Sequence, residues 1–292
     1  MTDLRQRAID LYDAFTHEHR DRRQLLRETV MLVGSVAAAE ALIATIAASP
    51  ATAQQTDAAD PRLVTRKGSY AIGDGQSMTG YFAAPRNPGR KIGAVMVIHE
   101  NRGLNAHTQD VARRVALAGY FAVAPDFLSP AGGTPADEDA ARDLIGQLDY
   151  DATILAAVAT LVRLRRLANG TGKAGAVGFC WGGALTNRVA VAAGSLLDAG
   201  ASYYGPAPHP AEAAKVEAAM VVHLAGNDTR VNTTGIPWGE ALRAAGKNAE
   251  TFVYPGVDHA FNNDTSAARY NQPAADLAWS RTLALFARHL DA

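Results

Sequence analysis

The sequence predicts an α/β protein: one mostly parallel sheet, flanked by helices on both faces, with no separate cap domain. Three observations carry this. Short Val-, Ile- and Ala-rich runs alternate with longer stretches of helical periodicity from residue 91 onward. These runs are continuously apolar rather than alternating, as strands covered on both faces are. The chain has 292 residues, 48% hydrophobic and 20% charged, enough for one large core in an ordinary globular composition.

Each element follows from its local pattern. "LVTRKGSYAIGDGQSMTGYFAAP" reads as two strands around a Gly-Asp-Gly turn. "KIGAVMVIHE" is a buried strand, and "AHTQDVARRVALAGY" a helix closed near Gly119. "YFAVAPDFLS" is a strand broken by Pro125, and helical patterns fill 137–147 and 150–168. Then come strand "AGAVGF", helix "WGGALTNRVAVAAG", strand "AGASYYG", strand "AAMVVHLAGND", helix "GIPWGEALRAAGK" and strand "AETFVYPG". A long helix closes the chain, with Trp279, Leu283, Phe286 and Leu290 on one face.

Charge and cysteine usage exclude several classes. A net charge of −1 gives no global attraction to nucleic acid or an anionic membrane. The single cysteine rules out an intramolecular disulfide and any multi-cysteine metal site. "HENRG" at 99–103 is not a zinc H-E-x-x-H, because Gly103 stands where the second histidine belongs. No metal and no cofactor is expected.

Residues 1–53 read differently from the domain expected over 54–292. Arg22-Arg23 precede an Ala-rich apolar run and then Ala51-Thr52-Ala53, the layout of a twin-arginine export signal with a small-x-small cleavage site. This predicts a periplasmic protein. The alternative is a helical extension that stays attached to a cytoplasmic one. A leader held apart would place few side chains on the domain, with Leu25, Leu32, Val36 and Ile43 outside the main core. Residues 54–62 read as a linker. Stable membrane insertion is not expected, since Glu40 interrupts the run and no second apolar stretch of about 20 residues exists.

The chemistry centres on "AVGFCWGGAL" (176–185), which holds the only cysteine. A strand, then Gly-Phe-Cys-Trp-Gly, then a helix is the G-x-S-x-G nucleophile elbow of α/β-hydrolases with sulfur in place of oxygen. Gly178 and Gly182 clear space for the sharp turn, and Gly183 lets the helix pack close to the sheet. The turn lifts Cys180 to a helix N-terminus, where backbone N–H groups and the helix dipole favour negative charge. The amide of Trp181 is the natural oxyanion donor.

A nucleophile needs a base and the base an orienting acid, in the chain order nucleophile, acid, base. Asp228 ends the strand "MVVHLAGND", and His259 ends "TFVYPGVDH"; both follow Cys180. Asp258 adjoins the histidine but points away from it. His223 lies inside a strand run and reads as a core histidine, and His209 as a rim residue. At the end of an early central strand, Glu100 is expected to hold the resting Cys180 thiol, and Asn101 to supply the second oxyanion-hole N–H.

With these residues in place, the region from about 63 to 290 resembles the dienelactone hydrolase family. "HENRGLN", "APDFLSPAGGTPADED", "GFCWGG", "GNDTRVN" and "YPGVDHAFNNDTSAARY" are its recurring blocks in its order. The resemblance implies a Cys180–His259–Asp228 triad with Glu100 as thiol partner, and hydrolysis of a lactone or small ester through a thioester. The family's best-known members hold a substrate carboxylate with arginines after the "APD" strand and just after the catalytic histidine. Here those stretches read Phe127-Leu128-Ser129-Pro130 and Phe261-Asn262-Asn263. Arg102, Arg230 and Phe261 are the substrate-binding candidates in their place. The expected partner is a small-molecule ester or lactone, and no nucleic acid. Two other readings of the same residues are an amidase or peptidase of this fold, and a non-catalytic thiol sensor or ligand-binding protein.

Overall fold

The computed structural model describes residues 2–18, 20–47, 55–73 and 75–291. Three helices, α1 (Thr2–His17), α2 (Arg22–Val33) and α3 (Val36–Ile46), precede the sheet. Its strands are β1 (Leu63–Gly73), β2 (Gln76–Pro85), β3 (Ile92–Ile98), β4 (Phe121–Pro125), β5 (Gly170–Phe179), β6 (Ala199–Tyr203), β7 (Ala219–Ala225) and β8 (Ala249–Tyr254). They form one eight-stranded sheet in the order β1-β2-β4-β3-β5-β6-β7-β8. The β1/β2 hairpin and its junction with β4 are antiparallel; every other pairing is parallel.

Burial explains the strand sequences. β3, β6 and β7 are buried at every position, so they carry continuous apolar runs. β1 is an edge strand with a mixed burial pattern and keeps its polar residues. One face of the sheet is covered by α4 (Ala106–Leu117) and α9 (Gln272–Leu290), which bury Val111, Val115, Phe286 and Leu290. The other is covered by α6 (Tyr150–Arg165), α7 (Trp181–Ala192) and α8 (Thr229–Ala244), which bury Leu161, Leu185, Val189 and Trp238. A short helix, α5 (Glu138–Gly146), lies between β4 and α6. α8 begins earlier than its sequence pattern because the Asp228 side chain caps it, accepting from the Val231 N–H at 3.0 Å.

The N-terminal segment departs from expectation. Gly34, at φ +84°, ends α2, and α3 leaves at 112° to it. The apolar run after the paired arginines is therefore two helices, and no single described helix is long and apolar enough to cross a membrane. α1, α2 and α3 bury Ile9, Tyr12, Phe15, Leu25 and Ile46 against one another and against Ala268. Leu32 and Ile43 are half-buried there, and Val36 is exposed.

This small core is separate from the main one, but it is docked on it. Asp13 pairs with Arg269 at 3.1 Å, Arg22 with Asp139 at 3.2 Å, and Ser266 Oγ donates to the Ile46 carbonyl at 2.7 Å. The segment thus makes more contacts with the domain than expected, while Leu25, Leu32, Val36 and Ile43 do lie outside the main core as expected. Among the polar contacts, those of Arg269 and Ser266 are buried, as where an amphipathic surface meets a complementary one, whereas Arg22–Asp139 lies at the exposed rim. The stretch expected to be a linker is also pinned in part, for the Thr56 N–H donates to buried Asp110 at 2.9 Å. Ala51-Thr52-Ala53 lies outside the described residues.

Candidate active site

Cys180 sits between β5 and α7 with φ +55° and ψ −114°, a backbone that non-glycine residues rarely adopt. The neighbouring glycines make that turn possible. A Cβ on Gly178 would overlap the Gly182 carbonyl oxygen, and one on Gly182 would stand 2.5 Å from the carbonyl oxygens of both Ile98 and His99. Neither position has room for a side chain. The Cys180 N–H donates to the Tyr203 carbonyl at 3.0 Å, which ties the elbow to β6.

Asp228 and His259, the expected acid and base, lie in the loops after β7 and β8, at the sheet end where open α/β folds bind ligands. His259 Nδ1 lies 2.5 Å from Asp228 Oδ2, and both residues are buried. Burial pulls the His259 pKa down, but the Asp228 carboxylate, and after it the Cys180 sulfur, outweigh it and raise it to about 10. Burial pushes Asp228 up, yet His259 dominates and leaves it below the usual carboxylate range. With Nδ1 donating to Asp228, the other ring nitrogen, Nε2, is buried without a hydrogen-bond partner. It faces the sulfur: the nearest donor atoms of His259, Cys180 and His17 all lie within 4.8 Å of one another.

His17, at the end of α1, is the residue that sequence reasoning missed. Its Nε2 stands 3.9 Å from Cys180 Sγ, and its ring meets the His259 ring edge-on at 4.7 Å between centroids. Burial, then the nearby positive charge of His259, lowers its pKa well below the ordinary histidine value. α1 also closes the space over the triad. Between Tyr12, Thr16 and His17 on one side and Glu100, Cys180 and His259 on the other, only about 20 Å³ remains. On the other side of the sulfur a cavity of about 340 Å³ opens, lined by Thr16, His17, Tyr150, Trp181, Pro206 and Arg230.

Glu100 lies beside the site but is held by other partners. It accepts from Asn263 Nδ2 at 2.7 Å and from the Tyr204 hydroxyl at 3.4 Å, while the close polar contact of the sulfur is His17. Tyr204, buried at φ +38°, was not legible as a site residue. The loop after β3 is set by His99. Its Nε2 accepts from the Phe127 N–H at 3.3 Å, so Nδ1 carries the proton and donates to the Glu100 carbonyl at 2.7 Å. The same ring stacks on Trp181 at 5.2 Å. Asn101 follows in this loop, its side-chain amide donating to the Thr16 carbonyl at 3.1 Å.

The substrate-binding candidates divide. Arg230 lines the open cavity. Arg102 is occupied, donating to Glu138 and to the Tyr12 hydroxyl, each at 2.7 Å. Phe261 is wholly buried among Tyr203, Tyr204 and Tyr254 and is a core residue, not a pocket wall. Arg269, ten positions past His259, borders the narrow space over the triad and is paired with Asp13. His223 is a core histidine as expected, within hydrogen-bond distance of the Tyr254 and Thr282 hydroxyls. Asp258 turns away and accepts from Asn227 Nδ2 at 2.8 Å.

Comparison with known proteins agrees with this geometry. Residues 78–290 match the model of the Dienelactone hydrolase family. A Salmonella typhi protein named for carboxymethylenebutenolidase is 32% identical over 230 residues, covering 74% of this chain and 84% of its own. A protein of the same name from Escherichia coli (strain K12) is 30% identical over 258 residues, covering 83% and 94%. A crystal structure described as a dienelactone hydrolase from Klebsiella pneumoniae superposes with a TM-score of 0.70 at 28% identity, covering 78% of this chain and 99% of that one. On the matched blocks, the elbow and the strand order together, this chain belongs to the dienelactone hydrolase family and is a lactone or ester hydrolase.

Proposed function

We propose that Cys180 is the nucleophile and that the reaction is hydrolysis of a lactone or small carboxylic ester through a Cys180 thioester. The observation that carries this reading is the strained elbow that aims the sulfur at a histidine already oriented by Asp228. His259 takes the thiol proton, and the Asp228 carboxylate behind it fixes the ring and stabilises the imidazolium that forms. The sulfur adds to the carbonyl carbon, and the carbonyl π pair moves to oxygen. The amides of Trp181 and Asn101 hold that oxyanion. Its collapse breaks the acyl C–O bond, and the leaving alkoxide takes the proton from His259. A water activated by His259 then cleaves the thioester and restores the thiol. The leaving group stays tethered in a lactone and departs in an ester.

The open cavity of about 340 Å³ admits a compact substrate, and Arg230 on its wall favours an anionic one. The test is hydrolysis of an aryl acetate by the wild type and Cys180→Ala. The variant should lose at least about a thousandfold in kcat/KM, and brief quenching of the wild type should reveal an acyl adduct on the Cys180 peptide. Full turnover in Cys180→Ala would end the reading.

A further inference from the structure

Three donor atoms of a kind that transition metals prefer converge at the triad. His17, Cys180 and His259 each offer one, all within 4.8 Å of one another, and this is the only such group among the described residues. It was not expected from the sequence, because one ligand comes from the far N-terminal helix. The donor set is a sulfur and two imidazoles, the borderline-soft combination that suits Zn2+ and its heavier congener Cd2+.

The spacing is close to what a tetrahedral ion needs. With Zn–S near 2.3 Å and Zn–N near 2.0–2.1 Å, a tetrahedral sulfur–nitrogen pair is about 3.5 Å apart. The His17 Nε2 to Cys180 Sγ distance is 3.9 Å, a few tenths of an ångström from that value, and no donor pair is wider than 4.8 Å, so rotamer adjustments of about 1 Å bring all three onto one ion. Two further features favour a ligand. His259 Nε2 is buried and has no hydrogen-bond partner. Its opposite nitrogen is fixed by Asp228, the carboxylate–histidine arrangement that orients imidazoles toward metals and raises their basicity. His17 and Cys180 also line the open cavity, which gives an ion and its water a route to the three donors.

We propose that His17, Cys180 and His259 form a site for one zinc-like divalent cation, whose binding shuts off the nucleophile. Binding replaces the S–H bond with a metal–sulfur bond, and the thiol proton is released to solvent, as is any proton held on His259 Nε2. No electron transfer is involved. The bound sulfur has its lone pair engaged and the base has none free. Because His17 belongs to α1, the site exists only while α1 is docked. The binding itself is independent of the hydrolase reading; only its inhibitory consequence rests on it.

The experiment titrates the full-length, chelator-treated protein with Cd2+, following the ultraviolet thiolate-to-cadmium charge-transfer band. Zn2+ competition against Cd2+ and Zn2+ inhibition of aryl acetate hydrolysis are measured in parallel. One equivalent of Cd2+ should develop the band, and Zn2+ should displace it. His17→Ala and His17→Gln should each weaken Cd2+ binding at least tenfold, while His209→Ala, at an exposed histidine, should leave it unchanged. Cys180→Ala should abolish the band. No band at stoichiometric Cd2+, or an affinity indifferent to both His17 variants, would overturn the proposal. Should the band appear while wild-type turnover is absent, the metal site stands and the hydrolase reading fails. A protein that turns over but forms no band keeps the hydrolase reading and loses the metal site.

Discussion

His17 Nε2 lies 3.9 Å from the Cys180 sulfur although 163 positions separate the two residues in the chain. The N-terminal helix thus forms one wall of a site in which Cys180, Asp228 and His259 come from the loops after strands. It covers the triad, takes Arg102 through Tyr12, and neutralises Arg269 through Asp13. The side facing Tyr150, Trp181 and Arg230 is left open.

The pairing of Asp228 with His259 leads to the first prediction. Asp228→Asn removes the charge that raises the imidazole pKa and also lets the ring choose the wrong tautomer. In a triad this costs up to about ten-thousandfold in kcat. The fold should survive, because Asn can still cap α8 by accepting from the Val231 N–H. The checks are kcat/KM for an aryl acetate and the pH profile. In the variant, the histidine-linked inflection should move down from about 10. A profile identical to wild type would show that Asp228 does not tune His259. In stability, the raised pKa of wild-type His259 acts below the unfolded value of about 6.5, and its contribution is lost as pH rises through about 10.

The elbow gives a prediction about folding alone. Gly182→Ala would force a Cβ to 2.5 Å from two main-chain carbonyls that belong to the central strand and its loop, and neither can yield. Overpacking costs about 1–3 kcal/mol, and a clash with unyielding backbone places this one at the upper end or beyond. Chemical denaturation should show the loss directly, or the variant should be recovered only as insoluble protein. A soluble Gly182→Ala of wild-type midpoint would mean that the elbow is built differently.

The docking of α1 should weaken in acid. His17 has a pKa well below 6.5 while docked and about 6.5 when released. Below about 6.5 the released form binds a proton that the docked form does not, so falling pH favours release, by up to about tenfold per unit. Above that value there is no effect. Asp13 acts in the opposite sense nearer the carboxylate range: burial raises its pKa, with Arg269 pulling it back. Limited proteolysis within residues 2–17 should therefore speed up between pH 7 and pH 5 in the wild type and stay flat in His17→Gln. Equal acceleration in both would assign the effect to another group.

Much of the site is legible in the sequence, and the reason is topological. Cys180, Asp228 and His259 each follow a strand, in the order expected of a nucleophile, acid and base, so local pattern and order suffice to predict that they meet. His17 lies in an amphipathic helix whose periodicity reads the same wherever it docks. Its role depends on a long-range contact that leaves no local trace. Phe261 departs from expectation because a residue two places after His259 can face the pocket or the core. Here the aromatic cluster of Tyr203, Tyr204 and Tyr254 takes it inward. The position of Glu100 follows from the strand that carries it, but its partners, Tyr204 and Asn263, have no signature in spacing.

The last prediction asks which neighbour governs the resting thiol. With Glu100 as its partner, charge repulsion would hold the thiol protonated, and Glu100→Gln would speed alkylation. That carboxylate is, however, engaged by Asn263 and Tyr204, and the group beside the sulfur is the imidazole of His17. His17→Ala removes that ring and opens a space of only about 20 Å³ over the triad. Iodoacetamide should then reach Cys180 several times faster than in wild type, measured by mass spectrometry of the Cys180 peptide. Glu100→Gln should change the rate less, because the lost charge is already shared with two hydrogen-bond donors. The double variant should behave like His17→Ala, since steric access is set by the ring. If Glu100→Gln instead gives the larger acceleration, charge rather than cover by α1 holds the thiol at rest.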